Sequence, residues 1–275
     1  MKYIVKQDKI IVYSKEEFCP EHILECGQIF SYEKINDNYV VYSADKMAKI
    51  FEKQDCYEIL TNQPEHFVDF FDLDSDYLNI KKELKNKHDF MQNVVDYGYG
   101  IRILKQDLFE TIISFIVSAN NNIKRIKKIL FNIREKFGDK KDGYYAFPTA
   151  KQLAKATEED FKNMGAGYRA KYLVETTKAL QNIDLNQLRD LSTQDLNKWL
   201  LSLMGIGQKV ADCIMLFGFS KQDVFPVDTW VEKVYCTYFK EEHNRVKIRK
   251  ELVNTFGNLS GYAQQYLFYS QRENS

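Results

Sequence analysis

The hydrophobic pattern changes period once along the chain, and that change limits the fold more than any other feature. Residues 1–62 hold short runs rich in Ile, Val, Phe and Tyr at Lys2–Val5, Lys9–Tyr13, Gln28–Glu33, Tyr39–Ser43, Lys46–Glu52 and Cys56–Leu60. Asn36-Asp37-Asn38 is a turn signal between two of them. These runs predict a twisted antiparallel sheet. From Pro64 the period is helical, beginning with Glu65–Phe71. Asp107–Val117 is apolar on most sides, as a helix at the centre of a fold must be. Ile123, Ile126, Leu130, Ile133 and Phe137 recur at steps of three and four with Lys and Arg between them, which predicts an amphipathic helix with a basic outer face. Thr149–Ala154, Glu158–Asn163, Arg169–Ile183, Thr193–Leu203, Gln208–Phe219, Asp228–Phe239, Lys247–Phe256 and Gly261–Ser270 read as further helices. Strands followed by helices give an α+β chain. An N-terminal antiparallel sheet domain is expected over residues 1–95. A mainly helical two-lobe body is expected over residues 96–275, and no internal repeat is evident along the chain.

With 44% hydrophobic and 28% charged residues the chain is globular rather than disordered. It has no apolar run of membrane-spanning length, and its first residues carry charges where a leader peptide needs an apolar stretch, so a cytoplasmic location is expected. The five Cys form no C-x-x-C pair and the four His no H-x-x-x-H pair, so no metal site is expected. The net charge is zero but unevenly spread. Residues 52–76 carry eight acidic side chains against Lys53, while residues 124–140 carry seven basic ones against Glu135 and Asp139. Two faces of opposite sign fit this distribution, and so do ordinary solvated helix faces.

The run Leu203-Met204-Gly205-Ile206-Gly207-Gln208-Lys209-Val210-Ala211-Asp212 carries most of the chemistry. Gly205 and Gly207 bracket one apolar residue in a turn that opens a helix. Glycines there permit positive φ and leave room for a phosphate. The first N–H groups of the next helix lack intrahelical partners and make an anion site. Such a site suits one DNA backbone phosphate, bound without reading its base. Lys209 falls in the first turn, where the helix dipole disfavours a cation. Against apolar walls its pKa is expected to fall, leaving a nucleophilic amine. Asp228, 19 residues on in Val224-Phe225-Pro226-Val227-Asp228-Thr229-Trp230, opens another predicted helix and suits an N-cap, a carboxylate partner of the Lys, or both.

Leu203 to Trp230 resembles the helix-hairpin-helix-Gly/Pro/Asp superfamily of DNA glycosylases, with Lys209 and Asp228 at its catalytic positions. Cys26-Gly27-Gln28-Ile29-Phe30, Arg102–Asp107, Ser118–Ile126, Gly165–Ala170, Val210–Cys213 and Ala263–Phe268 are similar, in order, to segments of the 8-oxoguanine DNA glycosylase branch. The resemblance implies double-stranded DNA containing oxidised guanine as partner, no cofactor and no metal. It further implies a monomer that works at the bacterial nucleoid. It also implies residue roles. Asn120 would fill the hole left by the flipped base, and Tyr168 would wedge the stack. Arg125 and Arg169 would donate to the opposite cytosine. Gly205, Gly207, Gln208 and Val210 would meet the DNA backbone. The Gly27 carbonyl would accept the N7 hydrogen that distinguishes 8-oxoguanine from guanine. Phe268 and Cys213 would cover the faces of the base, Gln264 would bond its Watson–Crick edge and Phe217 would shape the pocket. Lys209 would form a Schiff base at C1′ while Asp228 stabilises the sugar cation. The pattern departs from the family at Trp230, where many members have His, and at Phe217, often Met. The four-Cys cluster of the endonuclease III and adenine glycosylase branches is absent. Two rival readings are an alkylpurine glycosylase that uses Asp228 alone and a non-catalytic DNA-binding module.

Overall fold

The structure, a computed structural model, describes residues 1–272, with side chains through Ser270. Six strands, β1 (Tyr3–Lys6), β2 (Lys9–Val12), β3 (Tyr32–Ile35), β4 (Asn38–Ser43), β5 (Lys46–Glu52) and β6 (Tyr57–Leu60), form one antiparallel sheet of order β1-β2-β6-β5-β4-β3. The period-two pattern sets its register. Ile59 stands opposite both Ile10 and Ile50, and Val41 opposite Ala48. This apolar face packs on helices α1 (Pro20–Leu24) and α2 (Pro64–Phe70) through Ile23, Phe67 and Phe70.

One strand expectation needs correction, and one element was not anticipated. Pro20–Leu24, given no element in the sequence, is a helix, opened by a proline in its first turn, where the missing N–H costs nothing. The strand expected over Gln28–Glu33 begins only at Tyr32. Residues 28–31 are held as a loop instead. The buried Gln28 amide donates to the carbonyls of Ile23 and Arg102, each at 2.8 Å, and its oxygen accepts from the Leu104 N–H. Ile29 enters the sheet core while Phe30 enters a helical core, so their alternation serves two cores rather than two faces of a strand.

The helical body has two cores. The first surrounds α5 (Leu108–Ser118) and includes α6 (Ile123–Phe137), α7 (Ala150–Leu153), α8 (Glu158–Asn163), α9 (Arg169–Leu180), α10 (Thr193–Leu201) and α11 (Gln208–Phe217). The second joins α3 (Tyr77–Lys87) and α4 (Met91–Tyr97) to α12 (Thr229–Tyr238), α13 (Arg245–Phe256) and α14 (Ser260–Arg272). Helices α3 and α4 thus precede residue 98 in the chain yet pack with the C-terminal helices. The sheet is tied to the first core by Glu110, which accepts from Ser31 Oγ, the Ala44 N–H and the buried Arg134 guanidinium. Gln265 on α14 donates to the Cys26 carbonyl at 2.8 Å, bringing the C-terminal helix against Gly27. No helix among the described residues is long and apolar enough to cross a membrane.

Candidate active site

The second helix of the hairpin, α11, is N-capped by Gly207, and the two glycines before the helix differ physically. Gly205 has φ +86°, and a Cβ there would stand 2.6 Å from the Tyr172 ring. Gly207 has φ −93° and nothing within 4 Å of where a Cβ would be. Gly205 is required by the turn, whereas Gly207 leaves open space at the helix N-terminus. The Gln208 amide turns inward, to Asn197 at 2.9 Å and Asp212 at 3.0 Å, so only its main chain faces outward. Val210 is buried on the cleft wall. Asp212 also accepts two bonds from Arg249, at 2.6 and 2.7 Å, locking α11 to α13. Burial raises the Asp212 carboxyl, and Arg249 opposes it.

A cleft of about 800 Å³ opens between the two helical lobes. Gly27, Asn120, Lys209, Val210, Asp228 and Phe268 meet in its wall. Val224 is buried in the first lobe, Phe225 and Val227 in the second, and this alternation delivers Asp228 to the cleft. Asp228 caps α12, accepting from the N–H groups of Trp230 and Val231 at 3.0 Å. Capping uses one carboxylate oxygen, so it does not preclude a charge role.

Lys209 is half-buried, with Nζ 5.8 Å from the Phe115 ring centre. The expected fall in its pKa is not found. Cys213, one turn along α11, and Asp228 hold the amine above the usual lysine value, against burial, which lowers it. Burial pushes the Cys213 thiol up to about 11, so at pH 7 it is neutral and its charge does not act on Lys209, which leaves Asp228 opposing burial.

Opposite Lys209, the turn between α5 and α6 presents Asn120, exposed and at φ +49°, a region Asn tolerates better than most residues. Asn122, not Asn120, caps α6, accepting from the Arg125 N–H. Exposed Arg125 donates from Nε and one terminal nitrogen to the Gly165 carbonyl, at 3.2 and 2.8 Å. Tyr168 is 56% exposed. Arg169 is 3% exposed and donates to the carbonyls of Ala119, Asn120 and Ala166. Its expected availability to DNA is thus largely taken up by the protein itself.

On the lesion side, the Phe268 ring lies over Gly27, whose φ is +80° and whose absent Cβ would come 3.0 Å from the ring edge. Gln264 is buried with Oε1 lacking a hydrogen-bond partner. Cys213 is buried beside Lys209. Phe217 is not on the cleft wall. It stacks behind Phe115 with ring centres 5.5 Å apart, and Phe115 faces the cleft. Sequence reasoning missed Phe115, one of many apolar residues in a helix apolar on most sides. It also missed Arg245, which lines the cleft while bonded to Glu232 and Thr229. Its only signal was its place just after the capping Asn244. Trp230 lines the cleft rim, 41% exposed, with Lys233 Nζ 4.7 Å from its ring.

Comparison with known proteins agrees with this arrangement. The family profile described as the 8-oxoguanine DNA glycosylase N-terminal domain matches residues 10–112. That of the HhH-GPD superfamily of base excision DNA repair proteins matches residues 113–256. The N-glycosylase/DNA lyase of Saccharomyces cerevisiae is 29% identical over 94% of this chain and 84% of its own length. The N-glycosylase/DNA lyase OGG1 of Arabidopsis thaliana is 32% identical over 74% of this chain and 61% of its own. The crystal structure of Clostridium acetobutylicum 8-oxoguanine glycosylase/lyase in complex with double-stranded DNA containing cytosine opposite 8-oxoguanine is 40% identical. It has a TM-score of 0.92, covering 100% of this chain and 98% of that one. The chain therefore belongs to the 8-oxoguanine DNA glycosylase branch of the helix-hairpin-helix-Gly/Pro/Asp superfamily.

Proposed function

We propose that this protein is a bifunctional DNA glycosylase and abasic-site lyase that excises 8-oxoguanine, preferentially opposite cytosine. It acts as a monomer wherever the genome lies, in a bacterium the cytoplasmic nucleoid. Residues 1–95 supply Gly27 and residues 96–275 the catalytic pair. The carrying observation is Lys209 in the wall of a cleft large enough for a base, at the mouth of a helix N-terminus and in the field of Asp228.

A base within a duplex is out of reach, so it must be turned out into the cleft. The open N-terminus of α11 suits a phosphate beside the lesion, and Asn120 suits the vacated stack. In the cleft the Gly27 carbonyl can accept the N7 hydrogen of 8-oxoguanine and repel the N7 lone pair of guanine. A contrast of this size is about 1–3 kcal/mol. Phe268 offers a stacking face, and the unpartnered Gln264 Oε1 offers an acceptor to the base edge. For chemistry, Lys209 first loses a proton. Its nitrogen lone pair bonds to C1′ as the glycosidic electron pair leaves with the base, and Asp228 stabilises positive charge on the sugar. Opening of the sugar ring gives a protonated Schiff base. Loss of a C2′ proton then expels the 3′ phosphate. An enzyme relying on Asp228 and water would not need an amine here.

Borohydride trapping on duplexes with 8-oxoguanine or guanine opposite cytosine tests the reading. A covalent protein–DNA band is expected only with the lesion and only when Lys209 is present. A Lys209→Gln variant that retains full base excision and strand cleavage would refute it.

A further inference from the structure

The two groups that the chemistry needs ride on different lobes. Lys209 is carried by α11, whose residues build the first helical core, and Asp228 opens α12, whose residues build the second. Helix α13 reaches both. Arg249 donates from Nε and one terminal nitrogen to the two oxygens of Asp212 on α11, at 2.6 and 2.7 Å. One turn earlier on α13, Arg245 donates from Nε to Glu232 on α12 at 2.7 Å. Its terminal nitrogen donates to Thr229, the residue after Asp228, at 3.3 Å. Asp212 is buried and sits one turn beyond Lys209, and Glu232 sits one turn beyond Asp228. Each arginine thus grips a carboxylate next to one of the two catalytic groups.

Farther along α11 the lobes meet through apolar contact. Leu216 lies so close to Gly261, at the start of α14, that a Cβ there would stand 2.3 Å from it. Apolar contact is non-directional. A bidentate arginine–carboxylate pair fixes distance and angle together. A buried ion pair adds little stability over well-packed apolar residues, and its best-attested use is to specify one register. The register available to these pairs is that of α11 against α12.

We propose that Arg249 and Arg245 are positioning residues that, through Asp212 and Glu232, hold α11 and α12 at the separation that sets Lys209 against Asp228. This rests on the excision activity proposed above.

The experiment is single-turnover excision of 8-oxoguanine opposite cytosine by the full-length enzyme and its variants, beside affinity for a duplex holding an abasic analogue. Arg249→Ala is expected to slow the excision step about ten- to hundredfold, the cost of misplacing reacting groups by about 1 Å. Affinity and its salt dependence should stay those of the parent. Arg249→Lys, a cation without the planar fork, should recover part of the rate. Asp212→Asn combined with Arg249→Met leaves no buried charge unpaired, and is the second variant should Arg249→Ala fail to fold, with the same loss of rate expected. In an Asp228→Asn background, Arg249→Ala should cost less than in the parent, because the clamp then has no carboxylate to align. Glu232→Ala, outside the cleft wall, should slow the step in the same direction, and a parental rate there removes Arg245 from the clamp. A parental rate in Arg249→Ala, a loss lying wholly in affinity, or full additivity with Asp228→Asn overturns the proposal. Absence of 8-oxoguanine excision by the parent instead refutes the underlying activity.

Discussion

Alanine at Gly205 and at Gly207 adds the same methyl group two residues apart, with opposite consequences. At Gly205 the new Cβ must occupy φ +86° and stand 2.6 Å from three atoms of Tyr172. The left-handed backbone and the overpacking together cost about 2–5 kcal/mol. For a chain of this length that is a fall in Tm of roughly 5–15 °C. At Gly207 the backbone is ordinary and the space empty, so the fold loses only the difference between glycine and alanine at a helix N-cap, about 1 kcal/mol or less. What Gly207→Ala loses is close approach of a phosphate. Removal of a phosphate contact made by neutral N–H groups lowers affinity, and it reduces the slope of log affinity against log salt by less than the roughly 0.9 of a contact made by Lys or Arg. The assays are thermal unfolding of each variant and fluorescence anisotropy with an abasic-analogue duplex between about 50 and 200 mM salt. Equal destabilisation by both alanines would refute the distinction between turn and ligand space. Unchanged affinity and salt slope in Gly207→Ala would refute a phosphate at this N-terminus.

Asp228→Asn separates charge from capping, because Asn caps helices as well as Asp. Removing the carboxylate removes one influence that raises Lys209 and leaves burial, so the amine pKa moves down. The alkaline rise of Schiff-base trapping on preformed abasic DNA should shift to lower pH while base excision slows, and an unshifted or alkaline-shifted profile contradicts this. Gly27→Ala places a Cβ at φ +80° and 3.0 Å from the Phe268 ring. It should slow excision of the damaged base about tenfold or more, on the scale of one lost hydrogen-bond contrast. Cleavage of abasic DNA, which has no base to seat, should suffer less, and equal losses would place the defect elsewhere. Glu110→Ala strips the buried Arg134 of its carboxylate and should cost about 3–5 kcal/mol in urea unfolding. Glu110→Leu with Arg134→Met should cost less, and a single-variant loss under about 1 kcal/mol would show the pair does not hold the sheet to the helices.

The readable parts of this chain are those whose physics is local. Strands β4 and β5 follow from short runs rich in Val, Ile, Tyr and Phe, and α6 from its three- and four-residue steps. The glycine turn, Lys209 and the capping Asp228 were legible for the same reason, each being chemistry of a helix start. Residues 28–31 were misread because Ile29 and Phe30 alternate between cores assembled from segments remote in sequence. Phe217 has the composition of a pocket residue but stands one ring behind the cleft, a distinction made by Phe115 about a hundred residues earlier.

The titration of Lys209 fails as a sequence inference for a related reason. Helix dipole and apolar walls, both readable nearby, argue downward, while a Cys213 thiolate in the next turn and Asp228 across the cleft argue upward. The arginines make the sharpest case. Arg125 and Arg169 each open a helix beside a loop, and their shared residue type invites one shared role. What separates them is which carbonyls lie within 3.5 Å: Gly165 for one, and Ala119, Asn120 and Ala166 for the other. A guanidinium that has spent four of five donors on its own backbone differs from one that has spent two and keeps three free. Donor occupancy is a property of the folded state, and no spacing rule reports it.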